Sequence, residues 1–217
     1  MDPAVTVLYR PTGVTELGLV YDAGMAAFPR RLPEQPIFYP VTNFSYAATI
    51  AREWNTKHDA GIGYVTRFAV ESAYASRFEK RIVGGREHEE LWIPADQLAE
   101  FNQHIVGAIQ VAAAFFRPQP RGAVPTQLIL RGRTAEQQLV ALDELRDEYV
   151  MDFHLEVAAN HRVVWLNYPY WAVHRFEPSV IPERRRAECV AAIRENWQTA
   201  NPPLAILDEQ PPEARRS

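Results

Sequence analysis

The densest group of ionisable side chains lies just after a pair of glycines and consists of Glu87, His88, Glu89 and Glu90. Gly84-Gly85 predicts a hairpin-type turn, and the run from Glu90 to Ile93 predicts a strand that stops at Pro94. Because successive strand side chains point to opposite faces, His88 and Glu90 should share one face and Glu89 the other. Crowded carboxylates raise one another's pKa, so this cluster could either act on a ligand or form a solvated acidic turn.

The elements that would position this cluster alternate between strand-type and helix-type patterns. A strand is predicted at residues 5–9, with Arg10 at its tip, because Pro11 and Gly13 interrupt the β-branched run. Apolar residues at helical spacing predict two helices, over residues 15–23 and 45–54. Further strands are predicted at residues 37–41, 64–70, 81–83, 90–93 and 105–116.

The strongest break in composition is the segment 117–125, which contains three prolines and one glycine. It predicts a first module over residues 1–117, a Pro-rich joint over 118–125, a smaller α+β module over 126–208 and a frayed tail over 209–217. In the smaller module, strands are predicted at 126–130 and within 151–176. Helices are predicted at 134–148, where Thr134 and Gln137 match a capping box, and at 182–198.

Composition limits the classes of function. The 217 residues carry a formal charge of −4, so no global field would attract nucleic acid or an anionic membrane surface. Cys189 is the only cysteine, and the six histidines are scattered, so neither a disulfide nor a metal site is predicted. Without a signal-like start or a run of about 18 apolar residues, a cytoplasmic protein is expected.

Four segments, in order, carry a resemblance to a known fold: Leu8-Tyr9-Arg10, Ile37-Phe38-Tyr39, the Ala-rich helix with Ala47, Ala48 and Ala51, and Glu90-Leu91-Trp92-Ile93-Pro94. Together they resemble the ADP-ribosyltransferase fold, a split β-sheet module with short helices. More narrowly, residues 8–109 are similar to small bacterial proteins labelled ADP-ribosylation/crystallin proteins. The fold class expected is therefore α+β, with an ADP-ribosyltransferase-like module followed by the smaller module.

The resemblance implies a set of site residues and a substrate, NAD. Arg10 would hold the pyrophosphate or the ribose side of NAD, Tyr39 or Tyr46 would stack on the nicotinamide ring, and Glu90 would be catalytic. Strand alternation adds His88 to the catalytic candidates, because it should share a face with Glu90. Cleavage of the nicotinamide bond passes through an oxocarbenium-like transition state, which a carboxylate can stabilise. An arginine can pair with phosphate through two parallel hydrogen bonds.

Two hypotheses follow from these residues. The first is an NAD-dependent mono-ADP-ribosyltransferase of a toxin or effector type. It would modify a macromolecular target such as a protein. The alternative is a non-catalytic binding module that keeps the fold and uses its Trp- and Tyr-rich second half to bind a protein partner. Arg30 and Arg31, between Pro29 and Pro33, could recognise a phosphate or an acceptor, or could lie in a solvated loop.

Overall fold

A computed structural model describes residues 4–85 and 88–200 of the chain, and contacts divide them into two compact units. The first unit contains residues 4–58 and 62–115, and the second contains Asp59–Gly61 and residues 116–200. The chain mixes helices with small open sheets, which confirms the predicted α+β class. Segment 118–125 belongs to the second unit, and the tail 209–217 lies outside the described residues.

The first unit is built on two three-stranded sheets. The strands are β1 (Val5–Gly13), β2 (Ile37–Phe38), β3 (Ile62–Glu71), β4 (Glu79–Ile82), β5 (Glu89–Pro94) and β6 (Ile105–Phe116). One sheet has the order β1-β3-β6 and the other β2-β5-β4. The helices are α1 (Val14–Asp22), α2 (Phe44–Glu53), α3 (Ser72–Ala75) and α4 (Leu98–Gln103), with short 3-10 helices at Asn55–Lys57 and Ala95–Gln97.

The prediction that β1 ends before Arg10 is wrong, because β1 continues through Pro11 to Gly13 and pairs with β3 over its whole length. The N–H of Tyr9 points away from β3, toward the carbonyl of Val41. Pro11 is two residues further along, so its missing N–H faces the same open side and costs no bond to β3. Arg10 is therefore a buried residue in mid-strand rather than an exposed one at a tip.

Val41 joins the two sheets through isolated bridges to Tyr9 in β1 and to Glu90 in β5. Val41 and Tyr9 exchange two backbone hydrogen bonds, each with an N to O distance of 2.8 Å. On the other side, the N–H of Leu91 donates to the carbonyl of Pro40 at 2.9 Å. Beyond these bonds, β1 and the chain segment that precedes Val41 separate.

Helix α2 begins where Asn43 caps it by accepting a hydrogen bond from the Tyr46 N–H at 2.8 Å. Small buried residues face the sheet: Ala47, Ala48 and Ala51. Opposite them, a Cβ on Gly63 of β3 would collide with the carbonyl oxygen of Ala51. Close approach of helix and strand therefore requires glycine at position 63, and this approach fixes where Tyr46 lies.

Apart from Phe116 at the end of β6, the described residues of the second unit form helices, turns and loops, so the predictions of strands at 126–130 and within 151–176 are wrong. Its helices are α5 (Ala135–Glu148), α6 (Val150–Ala159), α7 (His161–Val173) and α8 (Glu183–Ala200). The capping box of Thr134 and Gln137 is confirmed at the start of α5. Helix α7 is buried on nearly all sides from Val164 to Trp171, so its apolar run shows no helical period and is easily mistaken for strands.

The segment at 126–130 forms turns because its backbone bonds to a side chain instead of to a neighbouring strand. The N–H groups of Ile129 and Leu130 donate to the buried carboxylate of Glu156, with N to O distances of 2.6 and 3.4 Å. Leu128 has a positive φ of 55°, which no strand tolerates. Upstream, Asn167 exchanges hydrogen bonds with both backbone groups of Ala123 at 2.8 Å.

The aromatic side chains of the second half pack inside the second unit rather than forming a surface: Trp165, Tyr168, Tyr170 and Trp171. Cys189 is buried as well, and burial, followed by the charge of Asp143, raises the pKa of its thiol to about 12. That thiol is neutral and inert at neutral pH. None of the helices within residues 4–85 and 88–200 combines the length and the apolar character that a membrane crossing needs.

Replacing Gly63 with alanine tests the contact between α2 and β3. The added methyl group should push helix and strand apart and lower the thermal midpoint by about 4–10 °C, as overpacking of a core does. Gly13→Ala is the matched control, because Gly13 pairs with Gly63 in the ladder but a Cβ there meets nothing within 4 Å. Equal thermal midpoints for the two variants in differential scanning calorimetry would contradict the required close approach.

Candidate functional site

A cleft opens in the first unit where β1 separates from the segment before Val41, with a cavity volume of about 280 Å³. One side is formed by the end of β1 and the first turn of α1, and the other by the loop after α1. Its lining includes the charged and aromatic residues Arg10, Glu16, Arg31 and Tyr39, together with the apolar residues Val41 and Ile50. Two predicted residues, Arg10 and Tyr39, thus line one cleft.

All three side-chain nitrogens of Arg10 donate hydrogen bonds. Its Nε and Nη2 donate to the two carboxylate oxygens of Glu16 at 3.0 and 3.2 Å, and its Nη1 donates to the carbonyl of Tyr39 at 3.3 Å. The guanidinium carbon also lies 4.8 Å from the ring centre of Phe38 and 5.4 Å from that of Tyr39. Only 6% of the side chain is exposed. The two-pronged face predicted to hold a phosphate therefore holds a carboxylate of the same chain.

Arg31 brings a second buried guanidinium to the same carboxylate. Its side chain is 8% exposed, and its Nη1 lies 3.9 Å from Oε1 of Glu16. Its Nε is buried without a hydrogen-bond partner among the described residues. Burial, and then the charge of Arg10, lower the pKa of Arg31, while Glu16 and Tyr39 act in the opposite direction. Two guanidinium groups facing one carboxylate leave a positive charge that suits an anion.

The carboxylate of Glu90 is held by two neutral donors. The hydroxyl of Tyr46 donates to Oε1 and the indole Nε1 of Trp92 donates to Oε2, each at 3.0 Å. Glu90 is 7% exposed. Burial, and then the hydrogen bond to Glu90, raise the pKa of Tyr46 to about 12. Trp92 escaped the sequence prediction, although its position two residues after Glu90 on β5 places both on one face.

His88 also lies beside Tyr46. The two rings stack with their centres 4.1 Å apart and their planes 12° from parallel, while Nδ1 of His88 is 3.1 Å from the carbonyl oxygen of Val83. Glu89 points elsewhere and pairs with Lys80 at 3.1 Å. Three predicted residues, Tyr46, His88 and Glu90, are therefore brought together. Glu87, the remaining acidic residue of the cluster, lies outside the described residues.

These two groups of residues leave the sheets on different faces. Tyr9, Val41 and Glu90 are directly paired and so share a face, whereas Arg10 follows Tyr9 and points to the other. Arg10 and Glu90 therefore belong to separate groups, and Glu90 is not part of the cleft lining.

Tyr39 and Ile50 connect the two groups. The ring of Tyr39 is 42% exposed, and its hydroxyl is near enough to both groups to influence the pKa of Arg31 in one and of Tyr46 in the other. Ile50 lines the cleft and lies one helical turn after Tyr46 on α2, which puts their side chains on the same face. The cleft and the Glu90 group therefore lie on different faces of the sheets but approach each other at Tyr39 and Ile50.

Sequence reasoning did not single out Glu16, because it is a single acidic residue in the first turn of α1, six positions after Arg10. No local pattern marks it as a partner of Arg10, since the contact depends on β1 continuing to Gly13. Within the residues that the structure describes, no group of three or more His, Cys, Asp or Glu side chains could hold a metal ion.

Comparison with protein-family models, with curated proteins and with solved structures gave no match to this chain. The resemblance to ADP-ribosyltransferases therefore stays a prediction, as do the roles it implies for Arg10, Tyr39, Tyr46, His88 and Glu90.

Tyr46→Phe tests the hydrogen bond to Glu90 through its pH dependence. At pH 7 it should lower the free energy of unfolding by about 1–3 kcal/mol, because Glu90 loses a donor. The folded pKa of about 12 lies above the ordinary tyrosine value near 10, so this stabilisation is complete below pH 10 and is lost as the pH rises toward 12. Urea unfolding at pH 8, 10 and 11 should therefore show the difference between variant and wild type shrinking.

The matched control is Tyr149→Phe, because Tyr149 is 58% exposed. That variant should differ little from wild type at any of these pH values. A difference for Tyr46→Phe that stays constant from pH 8 to pH 11 would contradict the hydrogen bond to Glu90.

Proposed function

We propose that the first unit binds NAD along the cleft and the Glu90 group, and transfers ADP-ribose to a macromolecular acceptor with release of nicotinamide. The observation that carries this proposal is that one unit contains both a buried cationic cleft and an oriented carboxylate. The two lie on opposite faces of the sheets joined at Val41, and the exposed residue Tyr39 is near both. A dinucleotide offers the matching sequence of groups, namely a diphosphate, a ribose and an aromatic ring.

The phosphate end of the proposal rests on charge and size. Arg10 and Arg31 outnumber Glu16 in the cleft, so an anion would relieve the cost of a buried positive charge. A cavity of about 280 Å³ is near the lower end of the roughly 300–1,000 Å³ typical of ligand sites. It would hold the charged middle of the dinucleotide and leave the nicotinamide end on the surface beside Tyr39.

The chemical step would take place beside Glu90. The bond between C1′ of the ribose and the ring nitrogen of nicotinamide breaks, and its electron pair leaves with neutral nicotinamide. C1′ then bonds to a nucleophilic atom of the acceptor, which gives up its proton. The positive charge that C1′ and the ring oxygen share during this exchange is what the carboxylate of Glu90 would stabilise.

The hydrogen bonds around Glu90 fit this role. Each of its oxygens accepts one hydrogen bond, from Tyr46 and from Trp92, and a carboxylate oxygen has room for a second. Both donors are neutral, so they orient the carboxylate without cancelling its charge. His88 stacks on Tyr46 and therefore serves as a positioning residue for that ring rather than as a base acting on the substrate.

Release of nicotinamide from NAD, with and without a cell lysate as acceptor source, tests the proposal. Glu90→Gln keeps the size of the side chain but removes the charge, and it should slow release by about 100-fold or more. Glu89→Gln is the matched control, since the neighbouring Glu89 pairs with Lys80 on the protein surface and should matter less than about twofold.

Labelling of a lysate protein from NAD that carries its label on the adenylate would identify transfer rather than hydrolysis. Equal rates for wild type and Glu90→Gln would remove Glu90 from the mechanism. Binding of NAD without any release of nicotinamide by the wild-type protein would overturn the enzymatic proposal in favour of a non-catalytic binding module.

A further inference from the structure

We infer that Arg31 is the residue that binds the diphosphate of the nucleotide, and that Glu16 is a built-in competitor for the same pair of guanidinium groups. The inference rests on the proposed function for the identity of the nucleotide. The contacts in the cleft alone support the anion site itself.

Arg31 carries a buried donor in the cleft that has no partner among the described residues. The Nε and Nη2 of Arg10 are both engaged by Glu16, and its Nη1 by the Tyr39 carbonyl. The ion pair of Arg31 with Glu16 joins Nη1 to Oε1 at 3.9 Å, which is beyond hydrogen-bond length. The buried Nε of Arg31 has no partner in the described part of the chain. A phosphate oxygen beside Arg31 would satisfy this donor and balance the surplus charge.

Glu16 limits how tightly an anion can bind. Its Oε1 is the atom that both arginines approach, at 3.0 Å from Nε of Arg10 and 3.9 Å from Nη1 of Arg31. A carboxylate at that point repels an incoming phosphate and also competes with it for the guanidinium groups. The side chain of Glu16 is 22% exposed, so part of it contacts solvent at the cleft. A ligand with one negative charge would displace it poorly, whereas a diphosphate carries two.

The chain offers a matched control next to Arg31. Arg30 has the same chemistry and adjoins it in the sequence, but it is exposed and does not line the cleft. A loss that comes only from general positive charge in this loop would be the same for both arginines. A loss that comes from the buried donor would be specific to Arg31.

Isothermal titration calorimetry with inorganic pyrophosphate and with ADP-ribose, on the full chain, tests the inference. Arg31→Gln should weaken the binding of both ligands by about tenfold or more, and Arg30→Gln by less than about twofold. Glu16→Gln should tighten binding of both ligands. Because Glu16→Gln removes the partner of a buried arginine and could unfold the protein, Arg31→Lys is a second variant. Lysine keeps the positive charge but lacks the planar guanidinium with its several donors. The affinity of Arg31→Lys for both ligands should therefore fall between those of wild type and Arg31→Gln.

Failure of this inference can be told apart from failure of the proposed function. Pyrophosphate binding that depends on Arg31 would support the anion site even if NAD is never cleaved. Cleavage of NAD at an unchanged KM in Arg31→Gln would overturn the role of Arg31 and leave the proposed function standing. Equal losses in Arg30→Gln and Arg31→Gln, or no binding of either ligand to the wild type at millimolar concentration, would also overturn it.

Discussion

The backbone hydrogen bonds on either side of Val41 set the spacing of the candidate site. These bonds, which we call the Val41 seam, hold β1 on one side of Val41 and β5 on the other. Tyr9, Val41 and Glu90 therefore lie side by side, and two strand spacings, about 10 Å in total, separate Tyr9 from Glu90. Past this seam, β1 separates from the chain segment that precedes Val41, and the cleft opens there. Without the seam, neither the opening nor its distance from Glu90 would be defined.

The seam also explains why the functional side chains form two groups. Pairing across Val41 sends Tyr9 and Glu90 to the face covered by α2, where Tyr46 meets the carboxylate. The alternation of a strand sends Arg10 to the opposite face, toward α1 and Glu16. A ligand that used both groups would have to lie across the edge of the seam, where Tyr39 is exposed. An elongated ligand with charge in its middle meets that requirement better than a compact one.

The proposed anion site rests on the balance of charge in the cleft. A buried ion pair contributes little net stability because desolvation offsets attraction, and a second guanidinium that shares the same carboxylate adds to the cost. Arg31 nevertheless lies almost fully buried next to Arg10, and its lowered pKa reflects that cost. Folds keep such arrangements where the charge is used, and a bound anion would be the simplest use.

Local patterns in the sequence predict most strands and helices of the first unit. The Gly84-Gly85 pair, the Ala-rich helix and the run from Glu90 to Ile93 predict the elements that bring His88, Tyr46 and Glu90 together. The ion pairs of Glu16 with Arg10 and Arg31 could not be predicted from such patterns. They require β1 to continue through Pro11, and they place Arg31 through a loop whose sequence has no regular spacing of apolar residues. In the second unit, aromatic and β-branched residues suggested strands, but helix α7 is buried on nearly all sides and tertiary burial outweighed that propensity.

A crystal structure of the protein with ADP-ribose bound would test most directly whether the cleft and the Glu90 group serve one ligand. The predicted result is a diphosphate oxygen at about 3 Å from Arg31, with the terminal ribose beside Tyr39 and one of its hydroxyls within hydrogen-bond distance of Glu90. A nucleotide bound elsewhere, or one that fills the cleft while its terminal ribose points away from Glu90, would contradict a single site spanning both groups.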